Sequence, residues 1–182
     1  MDKEMKNRKN IRKLSIFDFD GTLISTPMPD MGRIIYKQKT GNVWPYEGWW
    51  GHASSLDMDI FDMQTIKDVI DDYKIDRDNP ANIIVMLTGR LVKLDKEVKA
   101  ILDYNGLVFD EYHYNNGGST EVSKKRTMEA LLEKYPEVEE IQLWDDRLEF
   151  VPIFEEWGKN QCLSGRLKYF SITLVASSNY QL

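Results

Sequence analysis

The run Leu14-Ser15-Ile16-Phe17-Asp18-Phe19 is apolar and β-prone, and it stops at Asp20-Gly21, where the chain must turn. It reads as a buried strand, and everything after it repeats the same pattern. Met63, Ile66, Val69, Ile70 and Tyr73 recur at helical spacing, and the aliphatic run Ile83 to Leu87 follows as a second buried strand. Leu94, Val98, Ile101 and Leu102 mark another helix that stops at Asn105-Gly106, before a strand-like stretch from Leu107 to Tyr114. Thr120 to Tyr135 predicts a helix, Ile141 to Trp144 a strand, Phe150 to Trp157 a helix with Pro152 in its first turn, and Leu167 to Ala176 a last strand. Strand and helix alternate from end to end, which implies an α/β Rossmann-like fold, its mostly parallel sheet covered by helices on both faces.

Length and composition agree with one such domain. A chain of 182 residues falls below the size at which cores divide, and 42% hydrophobic with 30% charged residues excludes disorder. Residues 1 to 13 hold six basic and two acidic residues and read as a solvated basic tail, leaving 14 to 182 as the folded domain. The longest aliphatic stretch, Ile83 to Leu87, is far short of a bilayer span, so no membrane association is expected. One cysteine, Cys162, allows no intrachain disulfide, and no apolar leader follows the N-terminal charges; a reducing, cytoplasmic setting fits. With one Cys and two His, a zinc site of nitrogen and sulfur ligands is nearly excluded, whereas thirty acidic residues leave oxygen ligands plentiful and favour Mg²⁺. The formal charge of −6 argues against binding along a nucleic-acid backbone, though not against gripping one end.

Ligands of such sheets sit beyond the carboxyl ends of the strands. Asp18-Phe19-Asp20-Gly21-Thr22 follows the first strand, Thr88-Gly89-Arg90 the second, Lys124 precedes the fourth, and Asp145-Asp146-Arg147 follows it. Carboxylates forced within about 4 Å repel by about 4 kcal/mol per ionised pair at an effective dielectric near 20. A hard divalent cation removes that penalty, with Asp18, Asp145 or Asp146 and one backbone carbonyl as protein ligands. Beside a cation and Lys124, Asp18 becomes a usable nucleophile toward phosphorus. Asp20, two residues on, can act as acid toward the leaving oxygen and then as base toward water. The Thr88 hydroxyl, Gly21, Thr22, Gly89 and Arg90 are candidates to hold phosphoryl oxygens.

These motifs, in this order over residues 14 to 150, resemble the haloacid dehalogenase (HAD) superfamily. The resemblance implies a phosphatase in which Asp18 forms an aspartyl-phosphate and Asp20 is acid and base, with the Asp20 carbonyl helping to bind Mg²⁺. It also implies that one of Asp145 and Asp146 ligates the metal while the other holds Lys124; the sequence leaves open which. Ser25-Thr26-Pro27-Met28-Pro29, Gly48-Trp49-Trp50-Gly51-His52 and Leu143-Trp144-Asp145-Asp146-Arg147 with Phe150 are similar to the HAD domain of Swiss Army Knife RNA-repair proteins. The Asp-Asp-Arg ending is also similar to the 3′-phosphatase domain of polynucleotide kinase-phosphatases. No kinase or ligase segment accompanies it here, and a separate kinase or ligase partner is left open.

The expected substrate is therefore a phosphorylated nucleotide or nucleic-acid end, with a small-metabolite or free-nucleotide phosphatase as the alternative. A phosphoryl-accepting signalling or scaffold module is the non-enzymatic alternative, disfavoured by Asp20, since a base there hastens loss of the acyl-phosphate. The Trp-rich insertion at about 27 to 59 falls where HAD enzymes place a cap or flap. Trp44, Trp49 and Trp50 either stack on bases or form a satellite core beneath a long loop; the latter is expected, with one of the three exposed. His52 and His113 read as packing residues.

Overall fold

The computed structural model describes residues 10–176, so residues 1–9 of the expected tail lie outside the described part. Lys13, the last basic residue of that segment, already opens the sheet. Five strands, β1 (Lys13–Phe17), β2 (Asn82–Leu91), β3 (Glu111–Asn115), β4 (Glu140–Asp145) and β5 (Tyr169–Leu174), form one sheet of order β3-β2-β1-β4-β5. Every pairing is parallel, and central Phe17 stands level with Met86 on one side and Trp144 on the other.

The helices are α1 (Pro29–Thr40), α2 (Lys67–Asp78), α3 (Asp95–Tyr104), α4 (Thr120–Lys134) and α5 (Val151–Leu163). Alternation along the strands sorts the apolar residues between two cores. Leu14, Ile16, Val85 and Leu143 face Met128 and Leu131 of α4 and Phe154 of α5. Phe17, Met86 and Trp144 face the other way, toward Val69 and Tyr73 of α2 and Val98 and Ile101 of α3. Right-handed crossovers demand this division: α2 and α3 lead to strands added on one side of β1, α4 and α5 to strands added on the other. The strand order reverses between β1 and β4, and the crevice beyond their carboxyl ends is the natural ligand position.

Four elements differ from the sequence reading. Met63 and Ile66 precede α2 instead of belonging to it, because that segment is tied to the chain after β1: Ile66 N–H donates to the Leu23 carbonyl and Ser25 N–H to that of Gln64. The third strand starts only at Glu111, because Asp110 captures Ile84 with both its groups, its carboxylate accepting the Ile84 N–H at 2.8 Å while its own N–H donates to the Ile84 carbonyl. The fifth helix is entered through a short turn, Leu148–Phe150, and runs on to Leu163. Strand β2 continues to Leu91, so Thr88-Gly89-Arg90 stands within it, beyond the part paired with β1 and next to a register shift against β3.

The stretch from 27 to 59 is built on α1, a helix that its sequence conceals because only Gly32 among its residues is buried. That glycine is required by contact: a Cβ there would lie 2.2 Å from the Trp49 ring. Trp44 and Trp49 are buried beside Tyr36 and Phe61 as packing residues, but they belong to the same continuous cluster as Phe17 and Met86, so they extend that core instead of forming a separate satellite. No helix among the described residues is long and apolar enough to cross a membrane.

Candidate active site

A cavity of about 290 Å³ opens at the carboxyl ends of β1 and β4, lined by Asp18, Asp20, Lys124 and Asp146 among others. Asp18 sits one residue past β1, and its N–H donates to the Trp144 carbonyl at 3.0 Å, carrying the β1–β4 ladder on to the motif. Lys124, in the second turn of α4, crosses to it. Its Nζ donates to Asp18 Oδ1 at 2.7 Å and to Asp145 Oδ2 at 2.6 Å, all three side chains being buried. Asp145 Oδ1 accepts the Arg147 N–H at 3.0 Å, so both oxygens of Asp145 are engaged. Asp146 faces the cavity.

Glycine is needed at position 21 on two counts. Its φ is +67°, and a Cβ there would lie 2.2 Å from Asp146 Oδ2. The turn after β1 and the acidic pair after β4 can meet only because that side chain is missing.

Asp18, Asp145 and Asp146 each present a carboxylate oxygen within 4.8 Å of the others. Burial pushes the Asp18 carboxyl well above the usual carboxylate range; Lys124 pulls it back, while Asp145 and Asp146 push it further up. Asp146 is pushed up to about 6 by burial and by Asp145. Burial works against a charged Lys124, yet Asp145 and Asp18 outweigh it and raise the ammonium above its ordinary range. One ammonium facing three carboxylates leaves the cluster short of positive charge. An all-oxygen donor set of this kind fits a hard cation such as Mg²⁺, with Asp18 and Asp146 as the residues to hold it.

Asp20 forms the adjoining wall. Oδ1 accepts from Thr26 Oγ1 at 2.8 Å, Arg90 Nη2 at 2.8 Å and Arg90 Nε at 3.2 Å, whereas among the described residues Oδ2 accepts only from Arg90 Nε, at 2.9 Å. Oδ2 is thus the oxygen with room for a proton. The Arg90 Nη1 group donates to the Trp50 carbonyl and to Ser55 Oγ, each at 2.7 Å. Four of the five guanidinium N–H groups are therefore directed at protein, and the residue is only 2% exposed although it borders the cavity.

The remaining sequence candidates divide. Gly89 and Gly21 line the cavity. Thr88 is buried with its hydroxyl accepting the Arg90 N–H at 3.1 Å. Thr22 is fully buried, and its hydroxyl has no hydrogen-bond partner among the described residues. Thr26, Met28, Pro29, Thr120, Arg147 and Glu149 also line the cavity and escaped the sequence reading as site residues; Trp50 lines it too, which that reading weighed for base stacking but expected to pack. Proximity to a motif was the available signal for Thr26 and Arg147. His52 stacks on Tyr46 with ring centroids 4.4 Å apart, and His113 pairs with Glu111 at 2.8 Å.

A protein of Saccharomyces cerevisiae (strain ATCC 204508 / S288c), the uncharacterized protein YMR265C, is 25% identical over 185 residues, covering 89% of this chain. The chain spans only 40% of that protein's length. Among solved structures, the HAD domain of effector protein Lem4 from Legionella pneumophila superposes with a TM-score of 0.54 at 14% identity, covering 94% of this chain and 90% of that one. An inactive mutant of the same domain gives the same TM-score, covering 95% and 89% of the two chains. These two likenesses concern the fold. Residues 31–182 match the family described as HAD domain family 1 in Swiss Army Knife RNA repair proteins, and the chain belongs to that family.

Proposed function

We propose that this protein is a Mg²⁺-dependent phosphohydrolase that works through an aspartyl-phosphate on Asp18 and acts on the terminal phosphate of a nucleotide or nucleic-acid end. Family membership supports a phosphohydrolase of the HAD type with a phosphorylated substrate, and the RNA-repair setting of the family supports the nucleic-acid end. The observation that carries the mechanism is the meeting of Asp18, Lys124 and Asp146 beside Asp20 at one cavity, with Asp145 buried behind Lys124.

Asp18 attacks phosphorus, and the P–O bond to the leaving group breaks. Lys124 keeps a positive charge beside the attacking carboxylate, which lowers the repulsion between two anions. Asp145 holds Lys124 from behind and fixes its position. Asp20 Oδ2 gives its proton to the leaving oxygen, then takes one from the water that cleaves the acyl-phosphate. Arg90 and Thr26 hold Asp20 in register for both transfers. When bound, Mg²⁺ would supply Lewis-acid stabilisation of phosphoryl charge, held by Asp18 and Asp146, with the Asp20 carbonyl as a further ligand.

The test is phosphate release from 3′-phosphorylated oligonucleotides, 5′-phosphorylated oligonucleotides, mononucleotides and sugar phosphates, with Mg²⁺ and with EDTA. Mg²⁺-dependent release led by an oligonucleotide end is the expected result. A strong preference for sugar phosphates overturns the substrate reading, and release that EDTA leaves untouched overturns the cation.

A further inference from the structure

Trp50 stands apart from the other tryptophans of the insertion. Trp44 and Trp49 are buried in the core that also holds Phe17 and Met86, whereas Trp50 is half-buried and borders the catalytic cavity. Its position there is over-determined. The Arg90 guanidinium lies over its ring, 4.8 Å from the centroid, and the same guanidinium holds the Trp50 carbonyl. Arg90 also holds Asp20. One buried cation therefore fixes both the carboxylate proposed to protonate the leaving oxygen and the aromatic residue that lines the same cavity.

Met28 and Pro29 add apolar surface to the same cavity, whereas Asp18, Lys124 and Asp146 make up its charged floor. Phosphate chemistry has no use for an apolar stretch of wall, but the group that carries the leaving oxygen does. That oxygen must come within hydrogen-bond reach of Asp20. Whatever it is attached to then enters the cavity that Trp50 borders. A ring locked in place before binding offers stacking with little ordering cost, and aromatic stacking accepts any base because every base has a π-face.

We propose that Trp50 is the specificity-determining residue of a leaving-group subsite that receives the terminal nucleobase of the substrate. The proposal rests on the phosphohydrolase reading above and deepens it: the cavity selects an ester whose leaving alcohol carries a flat ring, and that ring is a base.

The experiment uses matched pairs of oligonucleotides, phosphorylated at the 3′ end or at the 5′ end, whose phosphorylated residue either carries adenine or is abasic. The wild-type protein is expected to favour the base-bearing member of at least one pair about ten- to a hundredfold in kcat/KM, the worth of one base–aromatic stack. Trp50→Ala is expected to collapse that ratio toward one mainly through KM, and Trp50→Phe to restore most of it. Phenyl phosphate is the aryl control. Equal rates on both members of each pair overturn the inference while leaving phosphohydrolase activity in place. An equal loss on base-bearing and abasic substrates in Trp50→Ala also overturns it, because that pattern belongs to a residue that merely steadies Arg90. A Trp50-dependent preference for phenyl phosphate over every base-bearing end overturns the nucleobase assignment. No release from any substrate by the wild-type protein defeats the phosphohydrolase reading itself. Should Trp50→Ala fail to fold, the wild-type ratios together with Trp50→Phe and Trp50→Leu decide.

Discussion

Arg90 grips Asp20 with two of its nitrogens, Nε 2.9 Å from Oδ2 and Nη2 2.8 Å from Oδ1, from a position that is only 2% exposed. A lysine could supply the charge but not the fork, and so could not fix the carboxylate plane. Arg90→Lys is therefore expected to lower kcat by about tenfold or more on esters with poor leaving groups, since general acid catalysis contributes about 100-fold or more. Arg90→Ala leaves a partly buried carboxylate unpaired and is expected to cost about 3 kcal/mol of stability as well. Asp20→Asn is expected to slow formation of the aspartyl-phosphate from alkyl phosphates strongly and from p-nitrophenyl phosphate far less, because nitrophenolate leaves without a proton, whereas breakdown of the intermediate slows equally for both. Single-turnover release of the leaving alcohol from the two substrate types checks this; equal losses in that step would remove the acid role.

Lys124 is the only cation hydrogen-bonded to the Asp18–Asp145 pair among the described residues, and its loss leaves these two buried carboxylates without their hydrogen-bonded counter-charge. Lys124→Met is expected to cost about 3–5 kcal/mol near neutral pH, the range for breaking a buried ion pair. The folded carboxyls of Asp18 and Asp146 lie above their ordinary value. A raised carboxyl favours the folded state most below its unfolded pKa, near 4, and that contribution is lost as pH rises through the folded value, about 6 for Asp146. In EDTA, the thermal midpoint of the wild-type protein should therefore carry a falling contribution between pH 4 and 7, and Mg²⁺ should raise the midpoint more at pH 7.5 than at pH 5. Thermal scans at the two pH values, with and without Mg²⁺, measure it.

Glu111 behaves in the opposite sense. Burial alone would raise its carboxyl, but His113, Lys134 and Tyr135 outweigh burial and hold it down at about 2. A depressed carboxyl stabilises the fold above its unfolded value, near 4.5, and loses that contribution as pH falls toward 2. Glu111→Gln is expected to cost on the order of 2 kcal/mol at pH 7, with the gap from wild type narrowing on acidification. Denaturant titrations at pH 7, 4 and 2.5 test it, and phosphate release by the folded variant should match wild type.

Gly21→Ala brings two faults together, a positive φ that alanine resists and a Cβ placed on Asp146 Oδ2. The backbone fault costs about 1–2 kcal/mol. Displacement of Asp146 is expected to lower kcat and weaken Mg²⁺ activation. Activity that rises with Mg²⁺ as steeply as in wild type would contradict the placement of Asp146 at the cation.

The sheet was legible from the sequence because buried parallel strands read as apolar-rich runs: β2 is unbroken from Ile83 to Leu87, and β1 and β4 are each interrupted once, at Ser15 and Gln142. Strand β3 was legible only in part, since Asp110 interrupts its ladder with a side chain, an event that no period reports. Helix α1 stayed hidden because it rests on a glycine, whereas periodicity reports large apolar residues. At the site, the motif residues could be named from strand ends, yet the division of labour between Asp145 and Asp146 could not. It depends on which carboxylate Lys124 reaches, and that is Asp145. Arg90 was named for substrate, but its N–H groups turn to Asp20, Trp50 and Ser55, partners 70, 40 and 35 residues away. Contacts across such separations follow from tertiary packing and leave no local signature.

Acid quenching with ³²P-labelled substrate in Mg²⁺ decides whether Asp18 is phosphorylated during turnover. An acid-stable, hydroxylamine-sensitive label on Asp18 is expected in the wild-type protein, and none in Asp18→Asn, which folds but releases no phosphate. Undiminished phosphate release by folded Asp18→Asn would contradict a phosphorylated Asp18.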